Sequence, residues 1–228
     1  MASPSLYWLE YSFAGSEQTP LTDLIKGTVH ALTKAMLQTD QGKVLFVFKV
    51  LAEPKIIVVI QSSTPTDLDT ALTANPVPSL GRLVQVKCRP LRQYEAFASE
   101  VLGVEWAGPK THEWSSSPTE GFIYWIDMYI GYSGLKQQQL FDVWRKEAML
   151  VLQTVGSGNA QLFKVLAERR VMMFLKASSP DMLDNVLYKL PLIQHLGDQV
   201  QLVCKPVVPY TYEDFTKSNR KNDVNRKV

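Results

Sequence analysis

The residues that most often announce a function are scarce in this chain. Of its 228 residues two are cysteine and three are histidine. Cys88 and Cys204 are too few and too far apart for a disulfide scaffold or a zinc cluster of paired spacing, so a reducing compartment, the cytoplasm, is the plainer reading. His30, His112 and His195 have no partner at metal-ligand spacing, and no metal site is expected from them. Neither charge sign dominates. With 24 Lys and Arg against 22 Asp and Glu the formal charge is +2, which gives no reason to expect nucleic acid as a partner. The longest aliphatic stretches, such as 56–60, are strand-sized, and the start Met1-Ala2-Ser3-Pro4 has no charged segment leading into an apolar one, so no membrane span or secretory leader is expected. Gly156-Ser157-Gly158 precedes a strand rather than opening a helix, and no G-x-S-x-G elbow is present, so neither a nucleotide cofactor nor a serine hydrolase is indicated. No cofactor is expected.

What the chain does contain is a repeat. Tyr7-Trp8-Leu9-Glu10 recurs as Tyr124-Trp125-Ile126-Asp127, and Phe48-Lys49-Val50-Leu51-Ala52-Glu53 recurs letter for letter as Phe163-Lys164-Val165-Leu166-Ala167-Glu168. Ser63-Thr64-Pro65 and Gln85 to Pro90 have counterparts at Ser178-Ser179-Pro180 and Gln201 to Pro206, at an offset that stays between 115 and 117. Collinear blocks at one offset mean duplication of a whole unit. The division that follows is 1–98 for a first unit, 99–121 for a linker rich in Gly, Ser and Pro, 122–215 for a second unit, and 216–228 for a basic, disordered tail. The tail carries a net +4, so the body is slightly acidic at −2.

Each copy reads as strand, amphipathic helix, hairpin, short helix, strand. In the second copy Leu140, Trp144, Ala148 and Val151 fall on one helical stripe, and Thr64-Pro65 and Ser179-Pro180 have the form of an N-cap followed by a first-turn proline. The fold expected is α+β: two tandem ferredoxin-like βαββαβ units forming an intrachain pseudo-dimeric α+β barrel. Strand 122–130 is apolar on both sides, so both faces of its sheet need covering. Further oligomerisation is left open.

Three segments carry a family resemblance: Gly158 to Leu166 (GNAQLFKVL), Ala177-Ser178-Ser179-Pro180, and Leu190-Pro191-Leu192-Ile193-Gln194-His195-Leu196 before the last strand. Together they resemble the muconolactone isomerase-like branch of the dimeric α+β barrel superfamily. The resemblance covers 122–206 and, more weakly, 6–90. Its relatives carry a His in the hairpin where this chain has Arg169 and Arg170.

The duplication also places polar residues at matching positions. Glu10 and Asp127 share strand faces with Trp8 and Trp125, and each suits either a general acid or base or an ion pair at the sheet rim. Lys49 and Lys164 have packed stems and an ammonium that can reach a carboxylate or an anionic ligand. Gln85 and Gln201 can hydrogen-bond a bound carbonyl, and His195 can face a pocket mouth. Cys88 and Cys204 read as small buried hydrophobes. The resemblance implies proton transfer on a small apolar carbonyl or lactone compound. Asp127 or Glu10 would be the base, Lys164 or Lys49 would stabilise the oxyanion, and Trp125, Tyr129 and Trp144 would form the apolar wall. The alternative is a non-catalytic interaction or structural protein that keeps the duplicated barrel.

Overall fold

The computed structural model describes residues 5–16, 19–38, 42–73, 83–108 and 122–210. His112, Trp114 and the tail 216–228 lie outside the described residues. The fold is mixed α+β, with eight strands and six α-helices among the described residues. The chain divides into two compact units, residues 91–207 and residues 1–90 with 208–228.

In the first unit β1 (Ser5–Phe13), β2 (Lys43–Val50) and β3 (Lys55–Ser62) form an antiparallel sheet with β3 in the middle. Helix α1 (Leu21–Leu37) buries Leu24, Ile25, Val29, Leu32 and Met36. Those residues pack with Leu9, Tyr11, Ile56, Val58 and Ile60 of the sheet. Burial of each such side chain is worth about 1.5–3 kcal/mol, which is why a stripe of this width holds a helix to a sheet. Helix α2 (Pro65–Thr73) starts as its sequence indicates, with the Asp67 N–H donating to Thr64 Oγ1 at 3.0 Å. Strand β4 (Val84–Gln93) extends four residues beyond the expected end at Arg89.

In the second unit β5 (Phe122–Ile130), β6 (Ala160–Val165), β7 (Arg170–Ala177) and β8 (Val200–Pro209) lie in the order β8-β5-β7-β6, all antiparallel. Leu91, Arg92 and Gln93 pair with β6. Helix α4 (Gln137–Gly156) covers one face through Leu140, Trp144, Ala148, Val151 and Leu152, against Tyr124, Ile126, Met128 and Ile130 of β5. Helix α5 (Pro180–Leu187) is capped as read, with the Met182 N–H donating to Ser179 Oγ at 3.1 Å. Two elements differ from expectation. Tyr94–Glu100, where no element was expected between the strand end at Arg89 and the linker from 99, is a helix, α3, and its Tyr94, Phe97 and Ala98 belong to the second core. The segment Pro191–Leu196, read as a turn, is helix α6, begun by a proline at its first turn and ended at Gly197 with φ 54°. Among the described residues no helix is long and apolar enough to cross a membrane.

Candidate functional site

Strand alternation sorts the second unit's residues before any chemistry is considered. Tyr124, Ile126, Met128 and Ile130 enter the core under α4, so Trp125, Asp127 and Tyr129 occupy the opposite sheet face. Asp127 is paired across β5 and β7 with Met172, which places Arg170 on the diagonal, within reach of a long side chain. Arg170 Nε donates to Asp127 Oδ1 at 2.7 Å and its Nη2 donates to Oδ2, a two-pronged pair. Nη1 of the same guanidinium lies 3.6 Å from Glu168. Gln201 sits opposite Tyr129 and Val203 opposite Asp127 on β8. Asp127, Tyr129, Arg170, Gln201 and Val203 line a cleft of about 270 Å³. Tyr129 and Gln201 also line a neighbouring open cleft of about 580 Å³ with Tyr132, Arg169 and Gln199. There the Arg169 guanidinium lies 4.7 Å from the Tyr132 ring and 5.9 Å from the Tyr129 ring, a geometry of cation–π attraction. Its Nε donates to the Ile130 carbonyl at 3.1 Å.

The structure therefore brings Asp127, Tyr129 and Gln201 together, and it separates them from two other expected partners. Trp144 lies on the helix side of the sheet, so it cannot share an apolar wall with Trp125 and Tyr129. Lys164 accompanies Trp144: its Nζ is 5.8 Å from the Trp144 ring and 5.3 Å from the Phe97 ring. That ammonium donates to the Val165 carbonyl at 2.7 Å and to the Glu168 carbonyl, closing the β6–β7 turn on itself. Burial lowers its pKa to about 8, with Glu168 raising it and Arg92 lowering it further.

The first unit repeats the pattern. Glu10 pairs with Lys55 at 2.8 Å and lies 3.9 Å from Arg89, and Lys55 is 3.5 Å from Glu53. Lys49 donates to the carbonyls of Val50, at 2.6 Å, and Glu53. Trp8 is fully buried. His195, expected at a pocket mouth, is exposed in the last turn of α6 and lines none of these clefts. Cys88, expected to be buried, is exposed, and Cys204 is half-buried; both are free thiols.

Two polar residues that the sequence reading passed over meet beneath α4. Glu147 is 3% exposed and Tyr94 is 1% exposed. The Leu192 N–H donates to Glu147 Oε2 at 3.1 Å, and Trp144 Nε1 donates to the Tyr94 hydroxyl at 3.1 Å. Burial pushes the Glu147 carboxyl up to about 7, against the lowering effect of the Leu192 hydrogen bond. A signal for Glu147 did exist: it stands three residues after Trp144 and four before Val151, on the apolar stripe of an otherwise amphipathic helix.

No protein-family model matches the chain, and no curated protein matches it in sequence. Solved structures match it in fold. A provisionally named chlorite dismutase superposes with a TM-score of 0.58 at 8% identity, over 94% of this chain and 97% of that one. A variant of chlorite dismutase from Candidatus Nitrospira defluvii gives 0.57 at 11% identity, over 95% and 96%. Chlorite dismutase of the same organism in complex with imidazole gives 0.54 at 11% identity, over 93% and 94%. The chain thus shares its fold with the chlorite dismutase structures.

Proposed function

We propose that this chain is a cytoplasmic small-molecule-binding protein, built by duplication of a ferredoxin-like unit and related to the muconolactone isomerase-like branch of its superfamily. Its ligand is a small carbonyl or lactone compound bound in the cleft of the second unit. The observation that carries this reading is the convergence of Asp127, Tyr129 and Gln201 with Arg170 around one space of about 270 Å³, close to the size of small-ligand sites. Gln201 supplies a hydrogen-bond donor for a carbonyl oxygen, Tyr129 supplies a ring face, and Arg170, oriented by Asp127, supplies positive charge. Both Asp127 oxygens are engaged by Arg170, so proton abstraction by Asp127 requires a ligand that takes its place on the guanidinium. Binding is the function and acid–base chemistry its extension.

The test is a panel of small lactones, ketones and aromatic acids scored by thermal shift. A ligand at one hundred times its Kd should stabilise by about 2.7 kcal/mol, a rise in Tm of roughly 5–10 °C for a chain of this size. Gln201→Ala with Tyr129→Ala should abolish the shift while Lys49→Met, in the first unit, leaves it. A shift that survives the cleft substitutions, or a panel without any hit, overturns the proposal. One observation favours the rival reading of a non-catalytic scaffold: Lys49 and Lys164 are spent on equivalent turn carbonyls in both units, an architectural use.

A further inference from the structure

We propose that the cavity beneath α4 in the second unit is a binding site for a single water-sized, neutral, hydrogen-bonding molecule, and that water fills it in the folded protein, bridging the Tyr94 hydroxyl and the Glu147 carboxyl group. A carboxyl group has two oxygens, and the only hydrogen bond to Glu147 among the described residues is the one from Leu192 N–H to Oε2. The Tyr94 oxygen accepts from Trp144 Nε1, which leaves the phenolic proton to be donated, and no acceptor for it exists among the described residues. Buried polar groups in folded proteins are almost always paired, with protein or with ordered water. Here the two unfinished groups line one and the same cavity.

Size and chemistry then identify the occupant. The cavity is about 20 Å³, above the roughly 10–15 Å³ that one water needs and far below the space required by an organic ligand. Cavities lined wholly by Leu, Ile and Phe stay dry, and a water needs two to four polar partners; Tyr94 and Glu147 both belong to this wall. With the Glu147 carboxyl neutral, a water there accepts from both the Tyr94 hydroxyl and the carboxyl O–H, which gives each proton an acceptor. The remaining wall, Ile126, Met128, Val151 and Leu162 among others, admits nothing larger and offers nothing charged. The raised pKa of Glu147 agrees with a carboxyl held in such surroundings in its neutral form at slightly acid pH. The site lies on the opposite sheet face from the cleft lined by Asp127, so it stands whether or not that cleft binds a ligand.

A crystal structure of the full chain at high resolution, grown near pH 6, tests this directly. The expected result is one ordered peak within roughly 2.6–3.2 Å of both Tyr94 Oη and a Glu147 oxygen, with no xenon entering the cavity under pressure. A featureless cavity, or one that takes up xenon, overturns the proposal. In solution, oxygen-17 relaxation dispersion counts long-lived buried waters. The Tyr94→Phe, Glu147→Met double variant should show one fewer than the wild-type chain, and an unchanged count is the contrary outcome. Where that variant fails to fold, the wild-type crystal experiment decides alone.

Discussion

Asp127 was legible because the repeat sets it beside Trp125 just as it sets Glu10 beside Trp8, and a polar residue kept in an apolar strand on both occasions is there for a reason. What the sequence could not say is which cation answers it. Arg170 lies on the neighbouring strand 43 residues away, and only the register of β5 against β7 brings its guanidinium onto both carboxylate oxygens. The Asp127 carboxylate is almost fully buried, so removing its partner strands a charge in a poorly solvated place, a loss of about 3 kcal/mol or more. Arg170→Met should therefore lower the urea midpoint sharply at pH 7, and adding Asp127→Asn should restore much of it. If the double variant is as unstable as the sum of its single variants, the pair is not coupled. Glu147 went unread for the opposite reason: a glutamate in a helix is ordinarily solvated, and its position on the buried stripe acquires meaning only when α6 closes over it.

At the scale of the element, the two hairpins are the best-read pieces of the chain and also hold its least expected detail. Both β2–β3 and β6–β7 turn through an alanine in the left-handed region, Ala52 and Ala167, each with φ 59°. The letter-for-letter repeat predicted equal turns but not that an L-residue with a Cβ would bear the strain. A non-glycine residue there costs about 1–2 kcal/mol. The lysine four residues before each turn-closing glutamate, donating to two turn carbonyls, helps to hold that geometry. Ala167→Gly should relieve the strain, and after the added freedom of the unfolded chain it should stabilise by roughly 0.5–1 kcal/mol. The Tm should rise by a few degrees, and a fall would mean that the methyl group packs usefully. The short helices α3 and α6 escaped the reading because segments of seven and six residues are below the length at which a 3.6-residue period can be counted. Pro191 and Gly197 marked the ends of α6 all the same.

At the scale of the molecule, the α+β character was legible from the alternation of two periods. The second compact unit begins at Leu91, inside β4, and the first resumes at Val208, inside β8. A boundary inside a strand carries none of the composition shift that marks a linker.

Stability as a function of pH is a property of the whole chain, and one group gives it a predictable slope. Burial raises Glu147 from its ordinary 4.5 to about 7, so across that window the folded chain keeps a proton that the unfolded chain releases. The stability associated with the neutral carboxyl is complete below about 4.5 and is lost as the pH rises through 7; a shift of this size corresponds to on the order of 3 kcal/mol. Glu147→Gln keeps an oxygen to accept from the Leu192 N–H but cannot ionise. Other titrating groups are common to both proteins, so they largely cancel in the difference between them. Urea unfolding at pH 5 and pH 8 should show the variant gaining on the wild-type chain by about that amount at the higher pH. Parallel curves for the two proteins would mean that Glu147 titrates like a solvated carboxyl and that the pocket around it is open to water in a way its burial contradicts.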